Sequence, residues 1–240
     1  MSEVTGPAAR AATASHAEGE PVVPVLPSLI DQAERLVELG LVEATGALSA
    51  DDLLGAAERL GTSAGAGALL VVADGVLPPS ALVPRLRRSV GGRDPGDKRG
   101  FVVTDMSDID DFAPTPTTVV PDALVYAVAD PDRGDAMRDW SGAEAEAAIL
   151  ERGRTPFTIA EGVHWALQAP EVLARNACYM MIGSRLPKAK GFDSRTPALW
   201  ISNGTGWDGR ERRGAPKAGW CWWNNRHTWL GFASGVERVA

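Results

Sequence analysis

Apolar residues fall at helical spacing in PSLIDQAERLVELG, where Leu29, Ala33, Leu36, Val37 and Leu39 recur along one side and Gly40 closes the run. Ser28, followed at the third position by Asp31, is a reciprocal helix-start signature, because each side chain can satisfy an amide that the first turn leaves free. Ser49 with Asp52 opens a second helix in the same way, with Leu53, Leu54, Ala57 and Leu60 on its apolar face before Gly61. The period then changes. ALLVVA (68–73), GFVVTD (100–105) and ALVYAVAD (123–130) are short continuous apolar runs, the kind that lie buried in a covered sheet. Two further capping boxes, Ser141 with Glu144 and Thr158 with Glu161, return the chain to helix, the second ending before Pro170. ACYMMIGS, PALWIS, GWCWW and HTWLGFAS then read as four more strands.

This order of helix pair, strands, helix pair and strands predicts an α/β or α+β architecture: a mixed sheet with helices packed on it and a C-terminal tryptophan-rich β-hairpin. Residues 1–27 show no apolar periodicity and are expected to form a disordered tail. Residues 28–240 are expected to form a single domain, with a helical pair at 28–61, mixed sheet and helices at 62–176, and a basic, tryptophan-rich β region at 177–235.

Composition narrows the function classes. At 240 residues, 45% apolar and 23% charged, the chain can bury a full core, which excludes wholesale disorder. No run reaches the roughly 18 apolar residues of a membrane helix, and the N-terminus lacks the basic start and apolar middle of a secretory signal. A cytoplasmic protein that contacts no membrane is therefore expected. Cys178 and Cys221 are the only cysteines and read as small core residues rather than a disulfide. Arginine outnumbers lysine 20 to 4, a bias typical of high-GC bacterial genomes. The net charge of −7 hides an asymmetry: residues 184–228 hold nine Lys/Arg against Asp193, Asp208 and Glu211, which is +6 and leaves −13 elsewhere. Such a segment either presents an anion-binding surface or docks on the acidic part of its own chain. The acidic whole argues against double-stranded nucleic acid as a partner.

The densest chemistry lies in WCWWNNRHTW (220–229), four of the eight tryptophans in ten positions. Asn224 and Asn225 separate two strand-like runs and suit a two-residue hairpin turn, because asparagine tolerates positive φ. Pairing outward from that turn places Trp220, Trp222, His227 and Trp229 on one face, with Trp220 opposite Trp229. The other face carries Cys221, Trp223, Arg226 and Thr228, with Arg226 set for a cation–π contact on Trp223. Three indoles around an imidazole can form a ligand platform, or they can be core with His227 at its rim.

The loop SNGTGWDGRERRGAPK (202–217) sets Arg210, Arg212, Arg213 and Trp207 among four glycines, a composition able to hold phosphate or carboxylate. It matches no nucleotide signature, since no apolar helix follows its glycines. Acidic residues gather after two of the expected strands, and if those strands are parallel neighbours, Asp105 and Asp130 can share a magnesium ion. Zinc lacks ligand spacing among Cys178, Cys221, His164 and His227. For hydrolysis only His164 and His227 offer a histidine base. His164 lies on an apolar helix and reads as a satisfied core or boundary residue, and the expected register separates Cys221 from His227.

The stretches TDMSDIDDFAP, PALWISNGTG through GRERRGAPK, and GWCWWNNRHTWLGFAS together resemble an uncharacterised family of high-GC bacterial proteins, a domain of unknown function, over roughly residues 28–235. That resemblance implies one family-wide domain and carries no activity, cofactor or catalytic residue. The residues themselves point first to a domain that binds an anionic small molecule or an acidic partner. In that reading Arg210, Arg212 and Arg213 hold the anionic group, while Trp207, Trp222 and His227 contact a planar or sugar-like portion. The alternative is an enzyme, metal-assisted through Asp105 and Asp130 or acid/base through His227. No cofactor is indicated.

Overall fold

A computed structural model of the protein describes residues 24–42, 45–91 and 96–240. All four capping boxes form. Ser28, Ser49, Ser141 and Thr158 each accept from the amide three residues on, and the acidic partner at that position reaches back to the cap amide. They start α1 (Leu29–Glu38), α2 (Ala50–Gly61), α4 (Gly142–Glu151) and α5 (Ile159–Gln168), while Pro79 opens the short α3 (Pro79–Leu82).

The first strands in chain order are β1 (Leu69–Val72), β2 (Arg87–Val90), β3 (Gly96–Arg99), β4 (Phe101–Val102), β5 (Ala113–Pro114), β6 (Val125–Val128) and β7 (Thr155–Pro156). The last are β8 (Cys178–Met180), β9 (Ser184–Arg185), β10 (Arg195–Ile201), β11 (Pro216–Trp222), β12 (Leu230–Phe232), β13 (Ser234–Gly235) and β14 (Arg238–Val239). A three-stranded antiparallel sheet runs β1-β6-β14, and a five-stranded mixed sheet runs β12-β8-β10-β11-β4. The fold is α+β.

The wholly buried helix α5 joins the two sheets, packing against β1 of the first and β10 of the second. The larger core lies around it and includes Leu36, Leu53, Val71, Tyr126, Trp165 and Leu199. A second core, with Ile149, Met180, Phe232 and both cysteines, places α4 against the opposite face of the five-stranded sheet. Cys178 and Cys221 are free and buried.

β1 is an edge strand whose burial would leave amides unpaired, and two side chains stand in for the missing strand. Leu70 N–H donates to Gln32 Oε1 at 2.8 Å, and Gln32 Nε2 donates to Ala68 O at 2.8 Å. Val72 N–H donates to His164 Nε2 at 3.3 Å, so His164 holds its proton on Nδ1. Burial lowers the His164 pKa to about 4. The apolar helix suggested a satisfied core histidine; His164 is a core residue, but only Nε2 is satisfied, and its buried Nδ1–H has no hydrogen-bond partner among the described residues.

The expected tail needs one adjustment. Leu26 is buried in the larger core, so packing begins ahead of Pro27, while residues 1–23 lie outside the described residues. No helix among the described residues is long and apolar enough to cross a membrane.

The tryptophan-rich hairpin exists with a different partner. β11 pairs antiparallel with β10, setting Pro197 opposite Trp220 and Arg195 opposite Trp222, and the glycine-arginine loop is its connection. Residues 226–229 do not return along β11. A tight hairpin turn requires positive φ, which neither Asn224 nor Asn225 adopts, although Asn225 N–H still donates to Trp222 O at 3.0 Å. The chain passes instead beside Asp139, whose amide donates to His227 O, and enters β12 parallel to β8. β11 and β12 are therefore separated by two strands, and Trp220 does not face Trp229.

Candidate ligand pocket beside the glycine-arginine loop

The connection between β10 and β11 holds its shape through Asp208. This carboxylate is buried and accepts from Ser202 Oγ at 2.7 Å and from Lys217 Nζ at 2.8 Å, while Lys217 also lies 4.9 Å from the Trp200 ring centre. Gly204, Gly206, Gly209 and Gly214 all have φ between +59° and +83°, which folds the loop back on itself at positions where other residues would be strained. Arg213 Nε donates to Asn203 O at 3.1 Å and closes the loop base.

Between this loop and the residues following β4 lies a cavity of about 540 Å³, lined by Asp105, Thr205, Trp207, Asp208, Arg212 and Lys217 among others. Parallel pairing of β4 with β11, Phe101 opposite Lys217, brings Asp105 to this wall. The Arg212 guanidinium stands 4.4 Å from the Phe101 ring centre and, among the described residues, is held by that face rather than by a carboxylate. Because Lys217 and Asp208 neutralise each other, the remaining charges on the wall are Arg212 and Asp105. Trp207 is 94% exposed at the cavity, unusual for a side chain that gains so much from burial.

Residues 35–240 match a family of unknown function, DUF5701. The chain belongs to that family. Neither a curated protein nor a solved structure matches it. The DUF5701 region begins inside α1 and takes in both sheets and the whole pocket.

Within this DUF5701 domain the residues singled out from sequence are only partly gathered. Arg212 and Trp207 line the cavity, while Arg210 and Arg213 lie exposed on the same loop. None of the three arginines forms an ion pair among the described residues. Trp222 sits at the far end of β11, six residues from Pro216 and so about 20 Å from the loop. His227 lies beyond it and stacks on Trp229 at 4.5 Å. Trp222 and His227 therefore do not share the pocket with the arginines. Trp229 is 40% exposed rather than core, and lines a separate cavity of about 310 Å³ with Cys178 and Trp200. Trp223 stacks on Arg185 at 4.0 Å, whereas Arg226 pairs with Glu144 at 2.6 Å.

The shared magnesium site of Asp105 and Asp130 is overturned. Their strands, β4 and β6, belong to different sheets, and Asp130 pairs with Arg154 at 2.7 Å. The other acids of these turns are used locally: Asp108 pairs with Arg195 at 2.6 Å, and Asp110 accepts from Ser80. No cluster of three metal-ligating side chains occurs among the described residues. Thr205 and Lys217 belong to the loop stretch already singled out and line the cavity, whereas Phe101, whose ring holds Arg212, reaches it only through the β4–β11 pairing that sequence does not announce.

Proposed function

We propose that this DUF5701 domain binds a small anionic molecule with a planar or sugar-like portion in the cavity beside the loop. Arg212 receives the anionic group, Trp207 covers the flat portion, and Asp105 accepts a hydrogen bond from a ligand hydroxyl or amine. Arg210 and Arg213 add positive potential at the rim. The observation that carries this reading is Trp207, 94% exposed on the wall of a cavity whose guanidinium has no carboxylate partner among the described residues. A ligand that covered this indole would bury apolar surface for a gain of about 1.5–3 kcal/mol. The free buried thiols of Cys178 and Cys221 suit a reducing, cytoplasmic setting.

A thermal-shift screen of nucleotides, sugar phosphates and di- and tricarboxylates tests the reading, run on the wild type, Arg212→Ala and Trp207→Ala. At least one class is expected to stabilise the wild type, and the shift should be lost in both variants. Equal shifts in all three proteins, or none in any, would overturn it.

A further inference from the structure

A second basic site lies outside the loop pocket. The hairpin β2–β3 stands as a two-stranded sheet of its own, and its register sets Arg87 opposite Arg99 and Arg88 opposite Lys98. Like charges directly opposite on a β-ladder repel, and Arg99 acts on Arg87 in this way, whereas Lys98 Nζ is engaged by Glu211 O at 3.3 Å. Arg85 adds to the charge on Arg87, and Arg175 to that on Arg88. Burial first, and then these neighbours, hold both guanidinium pKa values below the ordinary range.

Between this hairpin, α1 and the segment after α5 is a groove of about 520 Å³, lined by Arg35, Arg87, Arg88, Ser89, Asp97 and Glu171. Pro170 and the buried Leu173 give it an apolar side. Among the described residues, its three arginines are positioned by carbonyls rather than by carboxylates. Arg35 Nε donates to Leu167 O at 2.7 Å, Arg87 Nη1 to Pro84 O at 2.7 Å, and Arg88 Nη1 to Gly214 O at 3.3 Å. A carbonyl orients a guanidinium without neutralising it, so the other N–H groups of each fork keep their charge for a ligand. Of the two acids on the wall, Asp97 is engaged by Ser89 Oγ at 2.6 Å and its charge partly offsets the repulsion on Arg87, while no ion pair links either acid to these arginines among the described residues.

We propose that this groove is a second anion site, taking the phosphate or diphosphate group of a phosphate ester on Arg35, Arg87 and Arg88. The ester's organic portion lies along Pro170 and Leu173. A doubly charged oxyanion beside Arg87 would screen its repulsion with Arg99 across the hairpin, which a neutral ligand could not do. Planar guanidinium forks match phosphate oxygens in pairs, whereas lysines would offer point charges.

Inorganic pyrophosphate is the probe, titrated by calorimetry into the full chain, into Arg87→Ala/Arg88→Ala and into Arg212→Ala. The hairpin variant should lose affinity by about tenfold or more, as expected for removing charge-assisted hydrogen bonds, while Arg212→Ala stays within about twofold of the wild type. A loss in Arg212→Ala alone would move the anion to the loop pocket and overturn this site. No binding at millimolar pyrophosphate, or equal binding by all three proteins, would overturn it too. If the alanine pair does not fold, Arg87→Gln with Arg88→Gln keeps side-chain length and hydrogen bonding without charge, and the same loss is expected. A second readout needs no ligand: salt should raise the wild-type Tm more than that of the variant, and equal salt responses would count against the repulsion.

Discussion

His164→Gln should change the sign of the protein's stability response to acid. The wild-type imidazole is neutral in the fold, where burial holds its pKa at about 4, against roughly 6.5 in the unfolded chain. Between those values the unfolded state binds a proton that the folded state does not, so His164 contributes stability above pH 6.5 that is lost as pH falls toward 4. The difference of about 2.5 units corresponds to about 3 kcal/mol. Asp74 opposes this. Burial, followed by the charge of Glu161, raises its pKa to about 6, so over roughly pH 4–6 the folded state holds the extra proton and this carboxyl favours folding as pH falls. Its half-buried position reduces that contribution to about 1–2 kcal/mol. Glutamine at 164 can still accept from Val72 N–H, as Gln32 does from Leu70, but does not titrate. Urea unfolding followed by tryptophan fluorescence at pH 7, 6, 5 and 4.5 gives the comparison, at low protein concentration because the pI is near 5.1. Wild type minus His164→Gln, in which other carboxylates cancel, should fall by about 2–3 kcal/mol across the range, and Asp74→Asn should steepen the wild-type loss. Parallel curves for wild type and His164→Gln would refute the assignment of a neutral, edge-capping histidine.

Other consequences follow from burial and pairing. Arg238→Met leaves Glu161 buried opposite the vacated position of a 2.6 Å ion pair and should cost about 3–5 kcal/mol in urea unfolding; a cost below about 1 kcal/mol would show that water reaches the pair. Trp229→Ala should cost only about 1–2 kcal/mol, less than a fully buried aromatic, because the indole is 40% exposed; a loss above 3 kcal/mol would mean that it packs as core. Deleting residues 1–23 should leave Tm unchanged while Leu26→Ala costs about 2–3 kcal/mol, the two together placing the start of the packed domain.

Local signals in the sequence proved dependable where the physics is local. Each Ser/Thr-x-x-Asp/Glu box starts a helix, because both of its hydrogen bonds close within four residues. The apolar runs at 68–73 and 123–130 became β1 and β6, yet nothing in them announced that they pair with each other or that GFVVTD joins another sheet. The hairpin β2–β3 escaped notice because RRSV and GDKR carry no apolar alternation and its strands stay largely exposed. WCWWNNRHTW misled because turn propensity at Asn224 and Asn225 is weaker than the demand of β8 for a partner on its free edge. The loop arginines and Trp207 were legible from composition. Their separation from Trp222 and His227 was not, since it depends on which end of β11 each occupies.

The central claim is that Arg212 and Trp207 form one ligand site, and a salt-dependent calorimetric titration tests it most directly. The compound giving the largest thermal shift is titrated at 50 and 200 mM salt into wild type, Arg212→Ala, and Trp222→Ala as a control at the far end of β11. Arg212→Ala is predicted to weaken binding by about tenfold or more and to reduce its salt dependence, with Trp222→Ala indistinguishable from wild type. Binding that survives Arg212→Ala with its salt dependence intact, or that Trp222→Ala abolishes, would contradict the account.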